Sequence, residues 1–570
     1  MPKMQVAEVI VKILEDEGVT AMFGIPGAAI NPVYKYLGQT TKIKHYIARH
    51  EEGACHAADG YARATGKVGV CICTSGPAAT NFVTGLYTAQ VDSIPIVAIT
   101  GTATRAVLGQ EAFQAVDIAE IVKPVTKKSY CVREPYRLPG TMREAFRIAR
   151  EGRPGPVLID LPVDLQRTEI EYDPETDRSL DFSTPKANEK QIKKAIDMIL
   201  EAKNPIILAG GGVIISGASK ELQELAEYLS LPICASYMGK SALDTNHPLY
   251  AGLVGTIMQT RLGNKLFLES DLVLAVGARF VDRHTGKLDV YTKDRKFIHI
   301  DIDPLQIGKI VPTELGIVSD AKVALQMMID QAKARNAKVM PNEWVSSIPA
   351  RRKELARRLD FDNVPIKPQR LFKEINEFFD DDTIFVTSVG LNQIWSGQYQ
   401  EIKKPGHYKV CGCAGTLGWD LPASIGAKVG YEEMGMPEKK VVGITGDGGL
   451  GFMVEELAMA AHYQTPIVML VLNNGFLSLI RQNQSIVYDY EYAVDLTYDT
   501  NKLEKHGIGI DFVKLAEAFG LYAERVEKPE DLKAAFQRGL DNAPAVLDII
   551  CERETNCSMG LALDAIAERG

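Results

Sequence analysis

The chain lacks most features that mark a specialised class of protein. No uninterrupted apolar run reaches the roughly 18 residues that a membrane-spanning helix needs, so no membrane partner is expected. The 9 cysteines contain no C-x-x-C. An odd, scattered set of thiols suits the cytoplasm, not a disulfide framework. Positive charge is not in excess. There are 64 Lys and Arg against 73 Asp and Glu, a formal charge of −9, so the basic footprint of a nucleic-acid binder is missing. No G-x-S-x-G and no Walker-A sequence occurs, which argues against a serine hydrolase and a P-loop nucleotidase. The opening "MPKMQVAEVIVKILEDEG" has no long apolar segment and reads as an amphipathic helix, not a signal peptide. Short repeats, low-complexity tracts and long charge blocks are absent too.

What remains is ordinary in composition, 46% hydrophobic and 24% charged, as in a soluble globular protein. At 570 residues the chain is too long for one core and divides into three or four units of about 100–200 residues. Short apolar runs alternate with longer helical patterns. Examples are "KVGVCICTSG" (67–76), "IPIVAITG" (94–101), "NPIILAGGG" (204–212), "SDLVLAVGA" (270–278), "KVVGITGDGG" (440–449) and "TPIVMLVLNNG" (465–475). Each is apolar at successive positions, which predicts strands buried on both faces of parallel sheets. Many end in small or polar residues, where open α/β sheets bind ligands. The polar stretches 173–189 and 359–368 read as linkers. The expected organisation is three doubly wound α/β domains at 1–180, 190–350 and 367–550, with a tail at 551–570.

The third unit carries the strongest signal. In "GITGDGGLGFMVEELAMAAHYQTPIVMLVLNNGF" (443–476) a strand ends at Gly446-Asp447-Gly448-Gly449 and a second ends at Asn473-Asn474, with 24 residues between Gly448 and Asn473. Glycines at a strand end let backbone N–H groups approach phosphate oxygens. Asp447 and Asn474 offer hard oxygen ligands of the kind Mg²⁺ uses when it bridges a diphosphate. Here the chain resembles the thiamine-diphosphate enzymes, whose signature is GDG, a run of this length, and NN. The resemblance implies Mg²⁺ held by Asp447, Asn474 and the carbonyl of Phe476. It also implies thiamine diphosphate bound by Gly446, Asp447, Gly448, Gly449, Asn474, Phe476 and Leu477.

The stretch "ARHEEGACHA" (48–57) sets two carboxylates side by side. From the residues alone it could be a zinc site, an acid/base pair or a helix start. It is not H-E-x-x-H, and no further ligand pair follows at zinc spacing. The thiamine resemblance implies that Glu51, not Glu52, is catalytic. Its carboxyl group would hydrogen-bond N1′ of the aminopyrimidine and favour the imino tautomer that removes the C2 proton. Glu52 is expected to be structural, and His50 and His56 to be helix-terminal or satisfied interior residues. Other segments resemble the acetohydroxyacid synthase branch of this family. They imply cofactor contacts from Pro26 and Gly27 in "GIPGAAINP", from Thr74, Pro77 and Asn81 in "TSGPAATN", and from Gly390, Leu391 and Asn392 in "SVGLNQIW". Leu417 in "CAGTLGWDLP" would wedge the two cofactor rings into a V, and Phe113 and Gln114 in "EAFQAVDI" would meet substrate. Thr74, Ser75 and Asn81 are also expected to cap the N–H groups of the helix that follows.

In the middle unit "IILAGGGV" (206–213) lacks G-x-G-x-x-G and is weak evidence by itself. By resemblance to the same branch, Gly210, Gly211, Gly212, Gly277, Arg279, Asp301, Ile302, Asp320 and Ala321 would hold FAD, structural in role and without net redox. Several stretches resemble the glyoxylate carboligases, including "FDNVPIKPQR" (361–370) and "ETNCSMG" (554–560). Acetolactate synthases usually carry Trp in an "RQWQ" element. This chain has "RQNQ" with Asn483, which suits a smaller, polar acceptor. One departure stands against this. The best-known glyoxylate carboligase has valine at the position of Glu51. The resemblance therefore implies a carboligase that joins two small 2-oxo acids with loss of CO₂. Glyoxylate giving tartronate semialdehyde leads, and pyruvate giving 2-acetolactate is the alternative. It further implies a homodimer or homotetramer with active sites shared between subunits.

Overall fold

A computed structural model describes residues 2–497 and 509–569. Three six-stranded sheets, parallel throughout, follow one another along the chain. The first runs, across the sheet, Lys44–Ile47, Ala21–Gly24, Gly69–Cys73, Ile96–Thr102, Val157–Pro162 and Lys128–Cys131. The third runs Tyr408–Val410, Ile384–Thr387, Val441–Gly446, Ile467–Asn473, Ala545–Ile550 and Tyr522–Val526. Numbered within each sheet, both have the order 2-1-3-4-6-5. The middle sheet runs Tyr250–Leu253, Ile233–Ala235, Pro205–Ala209, Leu272–Val276, Lys296–Asp301 and Leu315–Val318, the order 3-2-1-4-5-6. That is the order of dinucleotide-binding folds, with the switch point between its first and fourth strands. The central strands are buried along their whole length, as their unbroken apolar runs require.

Residues 173–188 and 356–365 contain no helix or strand. The first helix, Val6–Asp16, buries Val6, Val9, Ile10, Ile13 and Leu14. The residues just before it depart from the expected helix. Lys3–Gln5 is a strand, antiparallel to Glu169–Glu171. At the other end, the Gln482 amide donates to the Cys557 carbonyl at 2.9 Å and accepts the Cys557 N–H at 3.0 Å, which ties the tail to the third unit.

The first and third units meet along two helices, Glu51–Thr65 and Asp420–Glu433. Small residues make this possible. A methyl on Gly426 would stand 1.9 Å from the Ala57 carbonyl oxygen, and one on Gly60 would stand 2.1 Å from the Ala423 oxygen. The backbones therefore nearly touch, and Ala54, Ala57, Ala58, Ala423 and Ala427 fill the seam.

Candidate active site

The sequence-marked residues of the first unit gather at the carboxyl ends of its strands. Pro26 and Gly27 follow Ala21–Gly24, Glu51 follows Lys44–Ile47, and Thr74 follows Gly69–Cys73. A methyl on Gly27 would stand 2.5 Å from Thr74 Cβ, so only glycine lets this turn lie against Thr74. His50 caps the helix that carries Glu51, its Nδ1 accepting the Glu52 N–H at 3.1 Å. Asn81 Nδ2 donates to Glu51 Oε2 at 2.9 Å. That bond fixes the carboxylate and leaves Oε1 with no hydrogen bond among the described residues. Glu52 turns to His56, with Oε1 3.3 Å from its Nε2.

Two expectations need correction. His56 is fully buried, but its Nδ1 has no partner among the described residues, so it is not a fully satisfied interior histidine. The Pro77–Asp92 helix has no side-chain cap. Asn81 is drawn to Glu51 instead, Thr74 Oγ1 accepts the Ala29 N–H at 3.2 Å, and the Ser75 hydroxyl donates to Gln114 Oε1 at 3.3 Å. These polar groups join neighbouring loops across the site because longer-range partners are within reach. Gln114 has φ +54° and lies over Gly76, while Phe113 beside it is 87% exposed.

In the third unit the GDG and NN turns sit at the ends of adjacent parallel strands, with Gly446 paired to Leu472. Asp447 Oδ2 accepts the Gly475 N–H at 3.0 Å. A methyl on Gly448 would stand 3.0 Å from Leu477 Cδ2, so the two turns touch. Asn474 Oδ1 accepts from the Ser478 hydroxyl at 2.8 Å, and the Phe476 carbonyl accepts from the same hydroxyl at 3.2 Å. Asn473 faces the other way and donates to Asp548 at 2.9 Å. Burial, with Asp548 adding to it, pushes Asp447 up to about 7. A divalent cation beside it would restore the carboxylate. Gly390 has φ +137° at the start of Leu391–Tyr399. Asn392 turns inward and donates to Ser388 O at 3.2 Å and Ile444 O at 3.3 Å. It braces these loops with its side chain. Leu417 is half-buried and Asn483 is exposed. No hydrogen bond among the described residues joins the first-unit set to the third-unit set.

A cavity of about 940 Å³ opens at the carboxyl ends of the middle sheet's strands, at its switch point. Gly211, Gly212, Gly277, Arg279, Asp301, Ile302, Asp320 and Ala321 line it. Gly210 lies just behind, where a methyl would stand 2.0 Å from the Gly277 oxygen. Asp320 caps its own helix, accepting the Val323 N–H at 3.1 Å. Burial, with Asp303 nearby, pushes Asp301 up to about 6. Arg153, from the first unit, also lines the cavity and was missed in the sequence. Its Nε donates to Ser93 Oγ at 2.8 Å. Burial and the neighbouring Arg279 hold its guanidinium below the ordinary value. Its one local signal is an arginine set between glycine and proline in "EGRPGPV". Glu456 was missed as well. It comes from the third unit, and its Oε1 accepts the Arg49 and His50 N–H groups at 3.0 and 2.9 Å, just before Glu51.

Residues 4–121 match the thiamine pyrophosphate enzyme N-terminal TPP binding domain, 192–328 the central domain, and 388–549 the C-terminal TPP binding domain. A glyoxylate carboligase of Escherichia coli O157:H7 is 45% identical, over 100% of this chain and 96% of the relative. A probable acetolactate synthase large subunit of Methanococcus aeolicus is 40% identical over 98% of this chain and 93% of its own length. The acetolactate synthase large subunit of Corynebacterium glutamicum is 40% identical over 96% and 87%. With three α/β sheets of the expected kind, both thiamine-binding domains and full-length relatives, the chain belongs to the thiamine pyrophosphate enzymes.

Proposed function

We propose that the chain is a decarboxylating carboligase that joins two glyoxylate molecules to give tartronate semialdehyde and CO₂. The observation that carries the carboligase part of this reading is Glu51, fixed by Asn81 with one carboxylate oxygen free, in a chain that also presents Asp447 and Asn474 at adjacent strand ends; the choice of glyoxylate is supported by Asn483 and by the 45% identical glyoxylate carboligase. Thiamine diphosphate, when bound, supplies the carbanion equivalent that takes one 2-oxo acid through loss of CO₂ and on to a second carbonyl. Asp447, Asn474 and the Phe476 carbonyl would hold Mg²⁺, and the Gly446–Gly449 backbone would meet the diphosphate. Glu51 would hold or give up a proton at the aminopyrimidine ring, with Asn81 keeping its carboxylate in plane. Leu417 would set the angle between the cofactor rings. Phe113, Gln114 and Asn483 would bound the substrate pocket. Asn483 offers amide hydrogen bonds and no apolar wall, which suits glyoxylate better than a longer 2-oxo acid.

The cavity of the middle unit fits FAD. Its volume lies in the range of ligand pockets, the strand order is right, and Arg153 with Arg279 suits a diphosphate. Each chain would then hold two half-sites, one in the first unit and one in the third. Around the third-unit half-site Phe452, Ile480, Val487, Tyr488 and Tyr492 are more than half exposed. A second copy that covers them would complete each site, which supports a dimer or tetramer with shared sites. No helix among the described residues is long and apolar enough to cross a membrane. All 9 cysteines are free thiols, which supports a cytoplasmic enzyme.

The test is product analysis by mass spectrometry after separate incubation with glyoxylate and with pyruvate, Mg²⁺ and thiamine diphosphate present. Tartronate semialdehyde with one CO₂ per two glyoxylates supports the proposal. Acetolactate from pyruvate, with glyoxylate untouched, replaces it by the acetolactate synthase reading that the second and third relatives favour.

A further inference from the structure

One short segment, Lys409 to Trp419, joins the cavity of the middle unit to the third-unit half-site. Val410, Gly412 and Cys413 line the cavity, and Leu417 lies near the other end. The first unit grips this segment along its length. Lys409 Nζ donates to the Arg63 carbonyl at 2.7 Å, and Arg63 Nη1 donates to the Val410 carbonyl at 2.5 Å. Asp92 accepts the Gly412 N–H at 2.9 Å with one oxygen and the Cys413 N–H at 3.1 Å with the other. The hydroxyls of Thr88 and Thr416 lie 2.7 Å apart, and Trp419 Nε1 donates to Asp59 at 2.9 Å.

These grips are linked to one another. Arg63 pairs with Asp59 at 2.5 Å and with Asp92 at 3.0 Å, and its guanidinium lies 4.9 Å from the Trp419 ring centre. Both carboxylate side chains are fully buried, and the Arg63 side chain is 6% exposed. Against the pull of burial, Asp59 and Asp92 hold the guanidinium above its ordinary value. A buried network of this kind is stable when complete and costly when half-broken. Arg63, Asp92, Gly412 and Cys413 are also cavity wall. A ligand that fills the cavity covers this wall and restrains Cys413, which is otherwise exposed.

We propose that Arg63 and Asp92 are positioning residues that couple the two cofactor sites, so that a flavin dinucleotide in the cavity tightens thiamine diphosphate binding by holding the Leu417 segment in place. This rests on the reading of both cofactors given above. A flavin with no redox work would then contribute through geometry. Linkage makes the effect reciprocal. The factor by which flavin tightens thiamine diphosphate equals the factor by which thiamine diphosphate tightens flavin.

The test is calorimetric titration of the full-length protein with thiamine diphosphate and Mg²⁺, once with FAD bound and once after FAD is dialysed away. The reverse titration with FAD checks reciprocity. The wild type is expected to bind thiamine diphosphate about tenfold tighter with FAD present. In Asp92→Asn one amide loses its acceptor and Arg63 loses one of its two charge partners, so the ratio falls towards one. Thr88→Val removes the Thr416 contact, along with a bond to the Thr84 carbonyl within its own helix, and serves if Asp92→Asn does not fold; its ratio falls less far but still falls. Equal affinities in the wild type with and without FAD overturn the coupling. A tenfold ratio that survives in both variants overturns the assignment to this clamp. Wild type that takes up no thiamine diphosphate overturns the function proposed above, and this inference with it.

Discussion

Glu51 and Glu52 are neighbours with different surroundings. The helix turns them about 100° apart. Glu51 meets Asn81, while Glu52 meets His56 one turn on. That choice was legible in the sequence only through family resemblance, because either carboxylate could start a helix. Glu456 was not legible at all. Nothing near it marks it, and its role depends on where the third unit docks. Burial pushes Glu456 up to about 7 from 4.5, and its Oε2 has no partner among the described residues. Between those two values the unfolded chain gives up the proton and the folded chain keeps it. The folded state then binds more protons, so this group's stabilising contribution falls as pH rises through that window. Glu456→Gln keeps the acceptor for Arg49 and His50 without the titration. Its melting temperature, followed by differential scanning fluorimetry from pH 5 to 8, should fall less steeply with pH than the wild type's. Parallel profiles would show that Glu456 does not titrate in this range.

Among elements, the seam between Glu51–Thr65 and Asp420–Glu433 connects the chemistry to the packing. Helices set this close need glycine where backbones meet. Gly426→Ala puts a methyl 1.9 Å from a carbonyl and should cost about 1–3 kcal/mol, read as a lower melting temperature. Gly140 lies in the Leu138–Arg150 helix with nothing within 4 Å of its missing methyl. Gly140→Ala should stabilise by roughly 0.5–1 kcal/mol. If both substitutions shift the melting temperature equally, close approach is not what Gly426 provides. The strands were legible as elements, since short continuous apolar runs bounded by turn residues suit strands buried on both faces of a parallel sheet. The partners of Thr74, Ser75 and Asn81 were not. A cap is the local expectation, and a residue on another segment won each of them.

For the whole molecule, pattern predicted three units, but strand order was out of reach. A run of Val and Ile does not say which neighbour it pairs with. The order 3-2-1-4-5-6 in the middle sheet, and the cavity at its switch point, therefore add to the sequence reading. Arg153 shows the same limit. It reaches the cavity from the first unit, across a domain boundary. The flavin reading predicts a yellow protein whose visible spectrum does not bleach during turnover. A colourless protein of full activity would remove the flavin from the account.

The account stands most directly on Glu51 as the residue that activates the cofactor. Hydrogen–deuterium exchange at C2 of bound thiamine diphosphate, read by NMR after acid quench, isolates that step from the later carbon–carbon bond. Glu51→Gln can still hydrogen-bond but cannot move a proton, so exchange should slow by about 10²–10⁴-fold, while Glu52→Gln stays near the wild type. Slow exchange in Glu52→Gln with normal exchange in Glu51→Gln would contradict the assignment, and normal exchange in both would show that this protein activates its cofactor without a carboxylate.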